Sequence, residues 1–336
     1  MSTILAFGSY SSTVSKFGDS NGYICVARAI LHWDFAGLQI KQFWGYSYAM
    51  AALSMLTRLP VETTLLVVSV SSCLLSIAFA HRLWGGWIAA LFAVLNFDWL
   101  QRSFLGGSEP LSVALILGSF MAARKDRFIF AATLASLATV VRPLSVFNLL
   151  AILTVLLYRR EFKRALGAAS VGAVVALLYV TPFFKYFGDP LATVHSYGGE
   201  PRPLFGIPFY AILEGTLRYP APWTNLLLSF GWIGLTTFGL VMMLRDEDFR
   251  AYARQHAVEI LFAVPYLILV YCYNYPVFAR SNFARFAIPA LPLIYLALSR
   301  WIPWDRRVLW ALGIISPAFA AASAIGIRHV IAALHG

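Results

Sequence analysis

One carboxylate stands out near the start of the chain: Asp19, in the stretch Phe17-Gly18-Asp19-Ser20-Asn21-Gly22-Tyr23. The body that follows is apolar and poor in acids. An ionised side chain beside hydrocarbon is costly, so a carboxylate kept there usually serves chemistry or an ion pair. A carboxylate within hydrogen-bond reach of a hydroxyl group can accept its proton as the oxygen attacks. Asp19 is therefore the first candidate for a catalytic base.

A second polar position is Arg142, which directly precedes Pro143 inside the apolar run 128–158. Proline disfavours helix at the residue before it, so the pair predicts a tight external turn between two short helices. Two roles are open for this arginine at the membrane boundary. Its side chain extends to lipid headgroups, or its planar guanidinium group binds a phosphate at the same depth.

Two further arginines, Arg280 and Arg285, precede a predicted helix that carries Pro289 and Pro292. Prolines in a membrane helix are tolerated where neighbours satisfy the freed carbonyl groups, and they often mark a cavity. The hypothesis is that both arginines converge with Arg142 on one anionic group.

Glu109 follows Ser108 and precedes Pro110, at the start of another apolar run. Serine as a helix cap, with glutamate and proline in the first turn, suits the positive end of the helix dipole. Two roles are therefore equally open for this carboxylate at the membrane edge: it stabilises the start of the helix, or it takes part in function.

The composition indicates the kind of structure that holds these side chains in place. The 336 residues are 60% hydrophobic and only 12% charged, and the mean hydropathy is +0.72, whereas a soluble domain has about 25% charged residues. We predict an all-α, polytopic transmembrane bundle that forms one membrane domain over 1–336. The net charge of +11 is scattered between apolar runs, so we expect membrane lipids and no nucleic acid as partners.

About ten spans are predicted. Their ranges are 61–80, 86–99, 109–123, 128–141, 143–158, 165–184, 223–244, 257–275, 285–299 and 308–330. The connectors that begin at Arg124, Arg159, Arg245 and Arg300 are short and basic, so the positive-inside rule places them in the cytoplasm. The intervening connectors, including the long segment 185–222, are then external.

The side of Asp19 depends on the apolar stretch 43–58. If this stretch crosses the membrane, Asp19 is cytoplasmic; if it lies along the interface, Asp19 is external. Its short length and aromatic start favour the interface, so we predict a first external loop over 16–60 with interfacial helices. Such a loop follows an anchoring helix, which residues 1–18 do not supply, so we expect a shortened product or a start upstream.

Several stretches in order along the chain resemble the GT-C superfamily of integral-membrane glycosyltransferases that use polyprenyl-phosphate sugars. The resemblance is to its mannosyltransferase-like branches, including the second mannosyltransferase of GPI-anchor synthesis and its bacterial relatives. The matching residues are Asp19, Tyr23 and Arg28 of the first-loop pattern, Ser108-Glu109-Pro110-Leu111, the turn Ala138 to Pro143, Gly188-Asp189-Pro190-Leu191, and Arg285-Phe286 through Pro289 and Pro292.

This resemblance implies a glycosyltransferase that moves a mannose-like hexose from a polyprenyl-phosphate donor to a sugar, lipid or protein acceptor on the external face. Asp19 would be the base, Arg142, Arg280 and Arg285 would bind the donor phosphate, and the transfer would invert the anomeric centre. Tyr23, Arg28 and Glu109 would bind substrate, and His195 and Glu200 of the long loop would contact the acceptor.

The resemblance further implies no cofactor. The paired acids of some families are missing, because Ser20 and Asn21 follow Asp19, so a divalent metal is possible but not indicated. The host membrane would be the plasma or inner membrane of a bacterium, or the endoplasmic reticulum of a eukaryote. The alternatives are a transporter or flippase for lipid-linked sugars, or an inactive member of the same fold.

Overall fold

The computed structural model describes residues 10–16, 18–35, 37–38, 42–198, 205–211, 213–214, 222–274, 282–299 and 305–335. The side chains of 97, 222–229 and 282, and several after 322, are outside this description. Within the described residues the chain is all-α, apart from one isolated bridge between Phe205 and Tyr273. The predicted fold class is confirmed.

Most of the described residues lie in α-helices or in two 3₁₀ segments. They are α1 (Gly18–His32), α2 (Gly45–Thr57), α3 (Val61–Trp84), α4 (Gly86–Val94), α5 (Phe97–Leu105), α6 (Glu109–Arg124), α7 (Phe128–Val141), a 3₁₀ turn (Pro143–Ser145), α8 (Val146–Tyr158), α9 (Phe162–Phe187), α10 (Ala192–Gly198), α11 (Pro222–Arg245), α12 (Glu247–Gln255), α13 (Ala257–Tyr271), α14 (Asn282–Ala287), a 3₁₀ turn (Ile288–Ala290), α15 (Leu291–Ala297) and α16 (Arg306–His335).

Most predicted spans coincide with a helix, and two do not. The stretch 86–99 divides at Asn96, whose side chain accepts a hydrogen bond from the backbone of Trp99 and starts α5. The stretch 285–299 divides at a 3₁₀ turn containing Pro289, because proline cannot donate a hydrogen bond within a helix. At both positions a helix ends close to polar side chains, where the prediction had the middle of a helix.

Three helices within the described residues are long and apolar enough to cross a membrane: Val61–Trp84, Phe162–Phe187 and Arg306–Gly326. Two bent helix pairs also pass when each is taken together: α5 with α6, at 109°, and α12 with α13, at 112°. The chain is an integral membrane protein. The predicted number of about ten crossings stays a prediction.

The first two helices pack on α3 and on the end of α7. The hydroxyl group of Tyr46 donates to the carbonyl oxygen of Leu65, and Ser47 donates to that of Tyr23. A Cβ atom at Gly45 would lie 2.6 Å from the backbone of Val140, so this glycine permits the close approach of α2 to α7. With 13 residues, α2 extends about 20 Å, less than a bilayer core of about 30 Å.

The predicted turn at Arg142-Pro143 is present. Arg142 has an extended backbone (φ −146°, ψ 119°) and ends α7, and the 3₁₀ turn follows at once. Because the backbone leaves the helix here, the Arg142 side chain projects from the end of α7 rather than from its lipid-facing side, and only 14% of it is exposed.

Candidate functional site

Five segments that are distant in sequence bring charged side chains to one place. They are Asp19 from the first turn of α1, Arg102 from α5, Glu109 from the start of α6, Arg142 from the end of α7 and Arg285 from α14. We call these five residues the arginine–carboxylate cluster. The structure thus brings together four residues selected from the sequence and adds Arg102.

Arg285 connects the two carboxylates. Its Nη1 donates to Asp19 Oδ2 at 3.1 Å, and its Nε donates to Glu109 Oε1. Arg102 Nη1 donates to the same Asp19 oxygen at 3.2 Å, and Arg142 Nη1 donates to Glu109 Oε1 at 2.7 Å. Charge-assisted contacts of this kind are stronger than neutral hydrogen bonds.

The two carboxylates differ in accessibility. The Glu109 side chain is completely buried, whereas 41% of the Asp19 side chain is exposed. A ligand that enters the cluster therefore meets Asp19 first. Glu109 contacts Arg142 and Arg285 from a buried position, which supports an organising role for its carboxylate.

The cluster also has unused hydrogen-bonding capacity. Among the described residues, Glu109 Oε2 and Arg102 Nε are buried without a partner. Buried polar groups are nearly always hydrogen-bonded, so such exceptions indicate a place where a further group can bind.

The backbone between α5 and α6 has to reverse sharply for Arg102 and Glu109 to meet. Gly106 has a positive φ of 79°, and a Cβ atom at Gly107 would lie 2.5 Å from Glu109 Oε2 and 2.8 Å from Arg102 Cβ. These two glycines therefore allow the reversal and leave room for both charged side chains.

Ser108 is the N-cap of α6, with Glu109 and Pro110 in the first turn as predicted, but its side chain makes no cap hydrogen bond. Its Oγ instead accepts from the Tyr23 hydroxyl group at 3.0 Å and lies 3.4 Å from Arg142 Nη1. Burial, together with the nearby Glu109 and Asp19 carboxylates, raises the pKa of Tyr23 to about 12. Tyr23 is thus a neutral donor at physiological pH, and it supports the cluster from α1.

An apolar groove of about 540 Å³ is lined in part by sequence neighbours of the cluster. Val141, next to Arg142, lies in its wall, and so does Leu111, two residues after Glu109. The lining residues come from α2, α6, α7 and α9: Gly45, Tyr48, Ala49, Leu111, Leu115, Leu137, Val140, Val141, Val175, Leu178, Tyr179 and Pro182. The groove is large enough for part of an apolar chain whose polar end reaches the cluster.

Other residues selected from the sequence lie elsewhere. Arg28, on the last turns of α1, pairs with Glu62, and 57% of its side chain is exposed, so the structure separates it from the cluster. His195 Nδ1 lies 2.7 Å from Asp189 Oδ2 in an exposed pair. Arg280 and Glu200 lie outside the described residues.

Sequence reasoning missed Arg102 and Asp98. Asp98 interacts electrostatically with Arg102 and Arg285, and it stands four residues before Arg102 on α5. Helix neighbours at this spacing share one face. The sequence feature that could have identified Asp98 and Arg102 is this pairing of an acid and an arginine on one face of a short helix, beside a predicted span.

In the cluster, guanidinium groups hold one oxygen of each carboxylate, Asp19 Oδ2 and Glu109 Oε1. Elsewhere in the described part of the chain, no group of three or more His, Cys, Asp or Glu side chains is placed to hold a metal ion. Metal dependence stays untested.

A second buried ion network lies at the other end of α6. Arg124 donates from Nε to Glu259 Oε1 at 2.7 Å, from Nη1 to the carbonyl oxygen of Leu83 at 2.8 Å and from Nη2 to the Tyr252 hydroxyl group at 2.6 Å. Trp84 Nε1 donates to Tyr252 at 2.6 Å, and Tyr252 donates to Glu259 Oε2. Sequence analysis gave no indication of this network.

The fold has counterparts among solved structures. Two crystal structures of ArnT from Cupriavidus metallidurans are similar to this chain, one in the apo state and one bound to undecaprenyl phosphate. The apo structure has 16% identity and a TM-score of 0.50; the bound one has 15% and 0.52. This chain has the polytopic helical membrane fold of the GT-C type.

The similarity extends over 96% of this chain but over only 62% and 64% of the two ArnT chains, so this sequence spans less than two thirds of their length. No protein-family model matches the sequence, and no curated protein matches it. At these identities the comparison establishes the fold and leaves the activity to be argued from the site.

Proposed function

We propose that this protein is a glycosyltransferase that moves a sugar from a polyprenyl-phosphate donor to an acceptor hydroxyl group. The observation that carries the proposal is the accessible carboxylate of Asp19, which contacts two arginines of the cluster, together with an apolar groove lined by Val141, the neighbour of Arg142. A phosphate, a hydroxyl group and a long apolar chain are the three parts that such a reaction brings together.

In the proposed reaction, Asp19 accepts the proton of the acceptor hydroxyl group as that oxygen forms a bond to the anomeric carbon of the donor sugar. The bond between the anomeric carbon and the phosphate oxygen breaks, and its electron pair leaves with the phosphate. Attack from the side opposite the phosphate inverts the anomeric centre. Asp19 is the cluster member suited to this role because Glu109 is buried.

The arginines stabilise the leaving group. Negative charge grows on the departing phosphate, and pre-oriented guanidinium groups in a site with little water lower the energy of that charge. Arg142 and Arg285 are fixed by Glu109, so little reorganisation is needed when the phosphate binds. Arg280 is proposed as a third phosphate ligand from its position in the sequence.

The groove would hold the first isoprene units of the donor. Its walls are apolar and include Val141 and Leu111, which are close in sequence to Arg142 and Glu109. An apolar chain in the groove would therefore present its phosphate to the cluster. One of the similar structures is ArnT bound to undecaprenyl phosphate, which makes a polyprenyl phosphate the first donor lipid to test.

The finer parts of the proposal rest on the sequence. We propose a mannose-like hexose as the sugar, the non-cytoplasmic face as the location of the site, and a reaction without a metal ion. His195 and Glu200 are proposed to contact the acceptor from the long loop.

The test is transfer of labelled mannose from polyprenyl-phosphate mannose by purified protein in lipid nanodiscs, with and without EDTA. Wild type should transfer the label with and without EDTA, and Asp19→Asn should transfer it in neither condition. Asp34→Asn makes the same chemical change at another acid of the N-terminal segment and should match wild type. Lipid-sugar flipping without any transfer would overturn the proposal in favour of a transporter.

A further inference from the structure

A second apolar groove, of about 330 Å³, runs along the membrane-facing side of α6, between α3 and α7. Its walls are Ser72, Leu75, Phe79, Leu111, Ala114, Leu115, Gly118, Met121, Ala122, Phe130 and Leu134, and its end is formed by Lys125 and Arg127. Leu75 and Phe130 are 49% and 57% exposed, so the groove is open at the surface of the protein.

A tight turn sets the backbone positions of Lys125 and Arg127 at the end of the groove. The backbone N–H groups of Lys125 and Arg127 both donate to the carbonyl oxygen of Ala122, at 3.1 and 3.0 Å, and Asp126 between them has a positive φ of 53°. The Asp126 carboxylate pairs with Arg159 of the next connector, at 3.3 Å. Within the described part of the chain, neither Lys125 nor Arg127 has an ion-pair partner.

The groove is longer than the hydrocarbon part of one membrane leaflet. From Leu111 to Lys125 along α6 is about 21 Å, and half of a hydrocarbon core of about 30 Å is about 15 Å. An acyl chain that starts at the basic turn therefore ends within the groove. The basic turn lies about 24 Å from Glu109 along the same helix, so a headgroup bound there does not reach the arginine–carboxylate cluster.

We propose that this groove is a binding site for an anionic membrane phospholipid, with an acyl chain along α6 and the phosphate between Lys125 and Arg127. Basic pockets between transmembrane helices bind anionic headgroups, and charge complementarity selects such a lipid over a zwitterionic one. The walls of this groove share Leu111 and Leu115 with the first groove, but its basic end is distant from the arginine–carboxylate cluster, and the proposal does not depend on the proposed function.

Native mass spectrometry of the purified protein tests this site with two probes that share their acyl chains, dioleoyl-phosphatidylglycerol and dioleoyl-phosphatidylcholine. Wild type should bind the anionic lipid more tightly. The double variant Lys125→Gln/Arg127→Gln should bind it roughly 30-fold more weakly, since each basic residue near a membrane surface contributes about a factor of five.

A matched control separates this site from general surface charge. Arg160→Gln/Lys163→Gln removes the same charge from the next basic connector, whose side chains are exposed and do not line the groove. This control should bind phosphatidylglycerol within about threefold of wild type. Equal losses in both double variants, or equal binding of both lipids by wild type, would overturn the proposal.

A groove variant tests the acyl chain. A Cβ atom at Gly118 would lie 3.3 Å from Leu134 and 3.4 Å from Phe79, so Gly118→Leu places a side chain between these walls. We expect it to reduce phosphatidylglycerol binding at least tenfold while Lys125 and Arg127 remain. Unchanged binding would exclude the groove, and displacement of phosphatidylglycerol by equimolar undecaprenyl phosphate would assign it to the donor chain instead.

Discussion

Two buried ion networks lie at opposite ends of α6, and they differ in how completely they are satisfied. Around Arg124 and Glu259, each charged group has its hydrogen bonds within the protein, and only 2% of the Glu259 side chain is exposed. The arginine–carboxylate cluster instead exposes Asp19 and leaves Glu109 Oε2 and Arg102 Nε without partners among the described residues.

This difference separates a structural network from a candidate site. Ion pairs cost desolvation energy when they are buried, and excellent geometry with additional hydrogen bonds is needed to offset it. The Arg124–Glu259 network meets that condition by itself and joins α6, α12 and α13. The arginine–carboxylate cluster meets this condition only in part, so two of its buried polar atoms remain available to a ligand. Buried charge alone would not have distinguished the two.

The largest effect is expected from Asp19→Asn, which removes the proposed base but keeps the side-chain shape. The transfer rate should fall by about 10²–10⁴-fold, the range that general base catalysis contributes. The unfolding temperature should fall less than in Glu259→Gln, because Asp19 is partly exposed and asparagine keeps an acceptor oxygen for Arg102 and Arg285. Radiolabel transfer and thermal unfolding would measure both, with Asp34→Asn as the control. A rate within threefold of wild type would remove Asp19 from the mechanism.

Glu259→Gln should instead lower the stability and leave the transfer rate per folded molecule nearly unchanged. It leaves Arg124 buried without its counter-charge, and the loss of one partner of a buried ion pair costs about 3–5 kcal/mol. Glu161→Gln breaks an exposed pair with Arg164 and should cost about 0–1 kcal/mol. Unfolding in denaturant would measure both variants. The comparison fails if transfer per folded molecule also falls strongly in Glu259→Gln.

Arg285→Lys keeps the positive charge but removes the planar group that contacts Asp19 and Glu109 together. A hydrogen bond to a charged group contributes about 1.5–3 kcal/mol, so inhibition by a polyprenyl phosphate should weaken by about 10–100-fold. Arg28→Lys changes an exposed arginine outside the cluster and serves as the control. If the two variants are inhibited equally, the phosphate does not bind at Arg285.

The smallest effect is expected from Tyr23→Phe, which removes the donor to Ser108 and should cost about 1 kcal/mol near neutral pH. The pKa of folded Tyr23, about 12, lies above its ordinary value of 10.0. Its contribution to stability is thus complete below pH 10 and is lost as the pH rises through 12.

The stability difference between wild type and Tyr23→Phe should therefore narrow between pH 10 and pH 12. Urea unfolding at a series of pH values would show this, and Tyr158→Phe at an exposed position is the control. A difference that stays constant with pH would mean that the phenol contributes only packing.

Most of the fold was predictable because the apolar runs have the length and composition of membrane helices. The stretches 61–80, 109–123 and 128–141 all became single helices with ends within a few residues. Prediction failed at 86–99 and 285–299, where Asn96 and Pro289 end helices inside apolar sequence. Hydropathy is insensitive to a single capping side chain or to one missing backbone donor.

The sequence by itself determined the fold class and the residues most costly to keep in a membrane, among them Asp19, Glu109, Arg142 and Arg285. Only the tertiary structure decided which of these meet, because ion pairs here join residues from 33 to 266 positions apart. Helix packing also decided that Arg102 belongs to the cluster and Arg28 does not. Burial then assigned the roles: the same packing that enclosed Glu109 left Asp19 within reach of a ligand.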